Sequence, residues 1–375
     1  MQEKEQVRYE YPYIDIFRVV AALFVVAIHI APLNSFSERA DYFLTYCIGR
    51  IAVPFFLIVT GYFTLGGKSL EQKFYKIRKA VYHLGAIYVF VTLLYLPVNY
   101  YAGNLPKTWG EVLKQIVFDG TFYHLWYLPA AILGMLIVYA LLRLWGYERT
   151  FLITFILYLV GILGDSYYGL VQKIPELERI YDIVFSFSSY TRNGIFFTPI
   201  FLCMGGWLGK EQYTISKEKG KNRLMVCIIG LLLEGEITGN LQLQRHNSMY
   251  LCLVPTVFFL MSLLLLKRKK AEQGEAASKY VWLRDISLWV YLLHPMCIIA
   301  VRGVAKAVNL KEIFVDNSLM FYVLVCISSF CMAFAVLYIL NLLKCAKKKK
   351  TEKKRRKWHD NKSCVGEYRT KQGMD

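Results

Sequence analysis

The stretch that decides the fold is Tyr13-IDIFRVVAALFVVAIHIA-Pro32. It is apolar and long enough to cross the roughly 30 Å hydrocarbon core of a bilayer as one helix. It nevertheless contains Arg18 and His29. A cation near the centre of a membrane span costs about 2.5 to 3.5 kcal/mol on insertion scales. These two side chains therefore need a partner or a function.

The spacing of Arg18 and His29 places them on one face of the helix. The sequence separation corresponds to about three turns plus roughly 20°, and to about 16 Å along the axis. Asp15, three residues before Arg18, can neutralise part of the guanidinium charge. We therefore expect an anion-binding group near one end of the helix and a titratable imidazole toward the other, both facing a common hydrated pocket.

The composition of the whole chain predicts an all-α, polytopic membrane helix bundle. Hydrophobic residues make up 56% of the 375 positions, and the mean hydropathy is +0.36. About ten stretches match the roughly 17 to 25 residues of a spanning helix. They lie near 13–33, 43–64, 80–101, 126–146, 151–170, 193–210, 223–240, 249–266, 285–305 and 319–343.

Basic residues between these stretches predict the orientation, because short loops rich in Lys and Arg remain in the cytoplasm. They favour cytoplasmic N- and C-termini in a multi-pass protein of the plasma membrane. Three regions follow: an N-terminal tail at 1–12, a transmembrane domain at 13–343, and a basic, disordered tail at 344–375. The net charge of +18 is typical of a contact with anionic lipid, and we predict no nucleic-acid binding.

Cysteine and histidine spacing gives no sign of a metal site or a disulfide framework. Most of the nine cysteines fall in or beside predicted spans, and two lie in the reducing cytoplasm. No Cys-x-x-Cys pair or Cys/His cluster occurs. We therefore predict no metal ion.

Several other polar groups fall where lipid would reject them. Arg50 opens the second span, and Glu234 and Glu236 lie within the seventh. Further candidates of this kind are His124, Arg192, Asn193, Tyr291 and His294. Any one of them is more often a helix cap or an interhelical hydrogen bond than a catalytic group. Together they predict a polar cavity inside the bundle.

Five ordered motifs make the chain resemble the acyltransferase 3 family of integral membrane acyltransferases. The first is Arg18, ten residues and His29, within Asp15-IFRVVAALFVVAIH-Ile30. The others are Val53-PFFLIVTG-Tyr62, with Thr60 where the family more often has serine, and then His124-LWY-Leu128, Arg192-NG-Ile195 and Tyr291-LLH-Pro295. The likeness covers about residues 11–343.

The resemblance implies a membrane O-acyltransferase that takes its acyl group from acyl-CoA, with acetyl-CoA the expected donor. His29 would act as general base or acyl acceptor, and Arg18 would be its catalytic companion. Many members carry an Arg-x-x-Arg pair for the CoA phosphates at the start of the third span. Here that stretch reads Lys73-FYKIRKAV-Tyr82, so the donor site falls to Lys76, Arg78 and Lys79.

We expect the remaining polar candidates to bind substrate in the polar cavity. They are Asp15, Arg50, His124, Arg192, Asn193, Glu234, Glu236, Tyr291 and His294. The acceptor would be a hydroxyl of an extracytoplasmic or lipid-linked glycan, although an amino-sugar nitrogen and a longer acyl donor remain open. A separate extracytoplasmic partner protein is one way to complete the transfer.

Two segments narrow the resemblance within the family. Leu231-LLEGEI and Arg245-HNSMY-Leu251 look like the membrane domain that VanT-type proteins join to a serine racemase. We expect this chain to act without the racemase part and without an SGNH-type esterase domain. The alternative is a transporter of a small, serine-like solute or a VanT-like membrane module. The sequence lacks an obvious inverted repeat, which disfavours a carrier.

Overall fold

The structure is a computed structural model that describes residues 9–67, 69–211, 213–270 and 280–371. It confirms the predicted all-α bundle. The N-terminal half contains α1 (Pro12–Ile30), α2 (Glu38–Phe43), α3 (Ala52–Leu65), α4 (Leu70–Tyr101), α5 (Trp109–Lys114), α6 (Tyr127–Leu163), α7 (Tyr168–Val171) and α8 (Pro175–Phe187). The C-terminal half contains α9 (Thr198–Glu211), α10 (Lys217–Asn240), α11 (Leu253–Leu265), α12 (Val281–Ala307) and α13 (Ser318–Lys371). Within the described residues, strand pairing is limited to β1 (Tyr9–Glu10) and β2 (Lys269–Lys270).

Six helical segments among the described residues are long and apolar enough to cross a membrane. They are Pro12–Ile30, Glu38–Leu65, Leu70–Tyr101, Tyr127–Leu163, Val281–Ala307 and Ser318–Ala346. Helices also occupy the other predicted span positions, but α9 and α11 are short and α10 is more polar. The count of ten spans and the cytoplasmic position of both termini therefore stay predictions.

Contacts near the helix ends show which of these ends lie on the same side of the bundle. At one end β1 pairs with β2, and the Tyr147 hydroxyl donates to the backbone oxygen of Leu65 at 2.7 Å. At the other end Ser35 and Ser318 hydroxyl oxygens lie 2.8 Å apart. Each contact joins loops that the ten-span prediction places on the same side. This grouping is what an alternating, antiparallel bundle requires.

Helix α3 passes through the centre of the bundle and crosses α9 at close range. A Cβ atom at Gly61 would lie 2.2 Å from the backbone oxygen of Leu202, and one at Gly205 would lie 2.0 Å from that of Ile58. Membrane helices that cross this closely depend on small residues at the contact. These two glycines therefore allow the backbones of α3 and α9 to approach each other closely at the crossing.

Two backbone irregularities shape the helices around the polar groups. A π-helical turn at Leu44–Ile48 and a 3-10 turn at Gly49–Ile51 connect α2 to α3. Arg50 lies in this irregular segment, shortly before Pro54. In α6, Gly146 has φ 71° and ψ −175°, a left-handed conformation that glycine adopts without strain. The chain bends there, between the two stretches predicted as separate spans.

The basic tail continues α13 instead of leaving it. The helix runs to Lys371, through the segment that composition predicts to be disordered. Lys, Arg and Glu all have high helix propensity, so the backbone can remain helical beyond the apolar part of α13. The other terminal segment, 1–12, falls partly outside the described residues, and its described end forms β1.

Candidate active site

Helix α1 begins with Pro12 and carries the first acid–base pair. Arg18 Nη1 lies 2.7 Å from Asp15 Oδ1, and the two side chains are only 12% and 14% exposed. The spacing of three residues puts both on one face of the helix. The predicted neutralisation of Arg18 by Asp15 is therefore present in the structure.

Arg18 and Asp15 line a cavity of about 880 Å³ between α1, α3, α4 and α12. Its walls include Lys76 and Lys79 from α4 and Arg284 from α12. Aromatic and apolar side chains form much of the remaining wall: Tyr11, Val53, Phe56, Phe63, Leu84, Ile87, Tyr127, Leu288 and Tyr291. Asp15 and Asp285 in the wall pair with Arg18 and Arg284, whereas Lys76 and Lys79 form no ion pair among the described residues. The two lysines and the apolar wall suit a long ligand that carries phosphate at one end.

The three basic residues predicted to hold phosphate do not share one surface. Lys76 and Lys79 are three residues apart and both line the cavity. Arg78 lies outside the lining, with its guanidinium 5.7 Å from the centre of the Tyr82 ring. The helical repeat of about 100° per residue explains the separation.

Three histidines meet beyond the inner wall of this cavity. The rings of His29 and His294 are stacked with centroids 5.2 Å apart, and those of His124 and His294 are 5.3 Å apart. Tyr123 packs edge-on against His29 at 4.9 Å. The residues come from α1, α12 and the loop before α6, so the fold gathers three distant sequence motifs into one cluster.

Hydrogen bonds position His124 and His294, but three of their four ring nitrogens have no hydrogen-bond partner among the described residues. The Tyr291 hydroxyl donates to the backbone oxygen of His124, and His294 Nδ1 lies 2.8 Å from the backbone oxygen of Tyr291. Both ring nitrogens of His124 and Nε2 of His294 are buried without a hydrogen-bond partner in the described residues. These nitrogens are available to a proton or a substrate hydroxyl.

The structure places only Arg18, of the predicted pair, in the lining of this cavity. His29 is outside the lining and keeps partial exposure at the far end of α1. Tyr291 belongs to the cavity wall and its ring also contacts His124 and His294. This side chain therefore connects the cavity to the histidine cluster.

A second polar cluster lies at the end of the bundle nearer His29. Arg50 Nη2 donates to Asn247 Oδ1 at 2.5 Å, and Arg192 Nη1 donates to Ser248 Oγ at 3.1 Å. Asp165 holds the same loop, since its Oδ1 accepts from the backbone nitrogens of Ser248 and Met249 at 2.6 and 3.0 Å. Three segments are thus fastened to residues 247–249.

The potential in this second cluster is positive. Burial, together with the positive charges of Arg192, Arg245 and Arg50, lowers the pKa of His246 to about 4. The ring of His246 packs against Tyr190 with centroids 4.6 Å apart. His246 is therefore neutral at physiological pH and adds no further charge.

The remaining predicted site residues support the backbone. Glu234 accepts from the Tyr167 hydroxyl at 2.8 Å and from the backbone nitrogens of Leu251 and Cys252 at 2.6 and 2.8 Å. Glu236 forms an exposed ion pair with Arg39 at 2.9 Å. Asn193 is fully buried, and its Oδ1 accepts from the backbone nitrogens of Ile195 and Phe196. None of the three lines the cavity.

Sequence reasoning missed Asp165, Tyr123, Tyr127 and Arg284. Asp165 had a detectable signal, because an acid within the predicted fifth span is costly unless it has partners. Tyr127 lies inside the motif His124-LWY-Leu128, whereas nothing in the local sequence marks Tyr123 or Arg284 as a site residue. Within the described residues, no group of three or more His, Cys, Asp or Glu side chains could hold a metal ion.

Comparison with known proteins agrees with the order of these motifs. Residues 11–338 match the model of a family described as an acyltransferase domain, acyltransferase 3. An amino-acid racemase of Enterococcus faecalis is 38% identical over 342 residues, which are 90% of this chain and 47% of that protein. A serine/alanine racemase of Enterococcus gallinarum is 35% identical over 325 residues, 84% of this chain and 44% of that protein.

The chain thus spans about half the length of the curated relatives it matches. Both relatives are named as racemases, in agreement with the predicted likeness to a membrane domain that is joined to a racemase. No solved structure matches the chain. The match over residues 11–338 places the chain in the acyltransferase 3 family of membrane proteins.

Proposed function

We propose that this protein is an acyltransferase of the plasma membrane. It would move an acyl group, expected to be acetyl, from cytoplasmic acyl-CoA to a hydroxyl of an extracytoplasmic or lipid-linked glycan. The observation that carries the proposal is a cavity with Lys76 and Lys79 in its wall and with Tyr291, another wall residue, in contact with the cluster of His29, His124 and His294.

The donor would enter the cavity with its phosphates at Lys76 and Lys79. Lysine binds phosphate as a compact charge, without the two-pronged geometry of arginine. Arg284 also belongs to the cavity wall but lies 3.4 Å from Asp285, and Arg18 lies further along α1 with its charge partly balanced by Asp15. This order of charges would orient the flexible arm of the donor toward Tyr127 and Tyr291.

His29 would take the proton from the acceptor hydroxyl as the oxygen attacks the thioester carbon. A C–O bond then forms, the C–S bond breaks, and the departing thiolate takes the proton from the imidazolium. In the other version His29 first accepts the acyl group and then passes it to the hydroxyl. Imidazole suits both, since it is a base and a nucleophile near neutral pH. His294 or Tyr291 would stabilise the oxyanion.

Transfer requires the acyl group to pass Tyr291. Its hydroxyl bonds to the backbone oxygen of His124, and its ring closes the inner wall of the cavity. Rotation of the Tyr291 side chain would open a path from the cavity to the histidine cluster without movement of the helices. Because only the acyl group crosses, neither CoA nor the acceptor needs to be transported.

The direct test uses purified protein in nanodiscs with acetyl-CoA labelled in the acetyl group and a panel of surface glycans. We expect label in one glycan class, and at least a hundredfold loss of transfer in His29→Ala. Label that remains on the wild-type protein would indicate an acyl-histidine. Undiminished transfer by His29→Ala would refute the role of His29.

The donor site has a matched set of variants on one helical turn. Lys76→Ala and Lys79→Ala should each raise KM for acetyl-CoA about tenfold, the effect of losing one charge-assisted contact. Arg78→Ala should change it less than twofold, because Arg78 points away from the cavity. An equal effect of all three variants would argue against binding of phosphate inside this cavity.

A second candidate is transport of a small, serine-like solute. The relatives include a protein named serine/alanine racemase, and this chain covers less than half of it. In that relative, a membrane part that supplies the solute to a racemase part would explain why one protein contains both. Counterflow of labelled serine in liposomes that persists in His29→Ala, with no glycan labelling, would favour the carrier over the enzyme.

A further inference from the structure

Arg50 and Arg192 come from distant parts of the chain and reach adjacent residues of one loop. Arg50 bonds to Asn247 and Arg192 to Ser248. Aromatic faces lie beside both: Tyr46 is 5.3 Å from the Arg50 guanidinium carbon, and Tyr190 is 4.2 Å from that of Arg192. The two guanidinium groups are thus directed to the same small region.

Neither guanidinium has its charge or its donors fully matched by the protein. Among the described residues, neither forms an ion pair within 4.0 Å, and the Nε atom of each is buried without a hydrogen-bond partner. Asp165 acts on both arginines electrostatically, but its Oδ1 already accepts two backbone N–H groups and its Oδ2 has no partner. A guanidinium has five N–H donors, and each of these two uses one in a side-chain hydrogen bond.

The cluster lies on the side of His29 away from the donor cavity. The charges of Arg50 and Arg192 both act on the His29 imidazole, and neither residue lines the 880 Å³ cavity. Lys76 and Lys79 therefore belong to the wall of this cavity, whereas the two arginines form a separate cluster outside its lining. A ligand at the arginines would approach the histidines from the side opposite to the donor.

We propose that Arg50 and Arg192 bind an oxyanion, a carboxylate or a phosphate, carried by the acceptor. The inference rests on the proposed function and names the chemical class of its acceptor. Two incompletely matched guanidinium groups lose much of their hydration on burial, and an anion between them restores hydrogen bonds and charge balance. The geometry thus selects an acidic acceptor over a neutral one.

The competing explanation is that the two arginines only fasten the 247–249 loop. Asn247→Asp separates the two explanations with a substitution of the same shape. The new carboxylate would pair with Arg50 and satisfy the cluster from within. A purely structural cluster would be stabilised or unchanged, whereas an anion site would be filled and blocked.

The first measurement is sulfate binding by the full-length protein in nanodiscs, with ionic strength held constant by chloride. We expect saturable binding to the wild-type protein and at least tenfold weaker binding to Asn247→Asp and to Arg192→Gln. Arg179→Gln in α8 is the matched control, because it removes an exposed arginine outside the cluster and should bind within twofold of wild type. Retention of wild-type affinity by Asn247→Asp, at an unchanged melting temperature, would overturn the inference.

The second measurement compares acceptors in the labelled transfer assay. Glucuronate and glucose 6-phosphate distinguish a carboxylate from a phosphate, and glucose is the neutral reference. We expect one acidic sugar to be acylated at least tenfold faster than glucose by the wild-type protein, and this preference to disappear in Asn247→Asp. Equal rates for all three sugars would overturn the inference and leave acyl transfer intact. Sulfate binding that depends on the arginines, without transfer to any acceptor, would support the anion site and refute the proposed function.

Discussion

At the scale of single residues, burial alone does not separate functional from structural polar groups. Glu234 is 8% exposed and satisfies three donors, which makes it a fastening point for the start of α11. His124 is 1% exposed, and neither of its ring nitrogens has a partner in the described part of the chain. The difference lies in the matching of hydrogen bonds: matched groups hold the fold, and unmatched ones remain available for chemistry.

Glu234→Ala should destabilise the protein by about 2 to 4 kcal/mol, because two backbone N–H groups and the Tyr167 hydroxyl would lose their acceptor. Glu236→Ala is the control two residues away. Its ion pair with Arg39 is exposed, and such pairs contribute about 0 to 1 kcal/mol. Thermal unfolding in detergent compares the two variants, and equal losses would contradict the fastening role of Glu234.

At the scale of elements, the crossing of α3 and α9 determines where the site residues meet. Arg50 lies in the irregular turn just before α3, and Thr60 of the same helix lines the 880 Å³ cavity. The close approach at Gly61 and Gly205 fixes α3 in depth and in rotation. The packing of α3 therefore determines the positions of both Arg50 and the part of the cavity wall at Thr60.

Gly61→Ala should destabilise the bundle by at least about 1 to 3 kcal/mol, the usual penalty for overpacking. The added Cβ would meet helix backbone, which cannot rotate away as a side chain can. Gly85→Ala in α4 is the matched control, since a Cβ there meets nothing within 4 Å and helix propensity favours alanine by up to about 1 kcal/mol. Melting temperatures of the two variants check the prediction, and a tolerant Gly61→Ala would show that the helices can separate at this crossing.

At the scale of the whole molecule, the two polar sites lie toward opposite ends of the bundle. The end that carries β1 and β2 borders the cavity of Lys76 and Lys79. The other end carries the Arg50 and Arg192 cluster. The proposed reaction between a cytoplasmic donor and an external acceptor requires this polarity, and basic loops predict that the end with Lys76 and Lys79 is cytoplasmic.

Single cysteines at Lys107 and Glu218, in a background without the native cysteines, test that orientation. Both positions are exposed and belong to opposite ends of the bundle. Lys107→Cys should react with a membrane-impermeant maleimide in intact cells, and Glu218→Cys only after permeabilisation. The reverse labelling pattern would invert the topology and exclude a cytoplasmic donor at Lys76.

The sequence by itself determined the class of fold and the family. Apolar runs of spanning length leave the helix as the backbone structure that satisfies its own hydrogen bonds in lipid. The motifs around Arg18, His124 and His294 also identified residues that the fold gathers near His29 or its neighbouring cavity. This information is local, since it depends on composition, helical spacing and short motifs.

The tertiary structure alone decided which polar residues face each other. It placed Tyr291 in the cavity wall beside His124, directed Arg78 away from the cavity that Lys76 lines, and brought Glu234 to the backbone nitrogens of Leu251 and Cys252. It also brought Arg50 and Arg192 to one loop from positions far apart in the chain. The physical reason is that rotation and depth of each helix follow from packing against its neighbours, as at Gly61, and a single helix sequence does not contain that information.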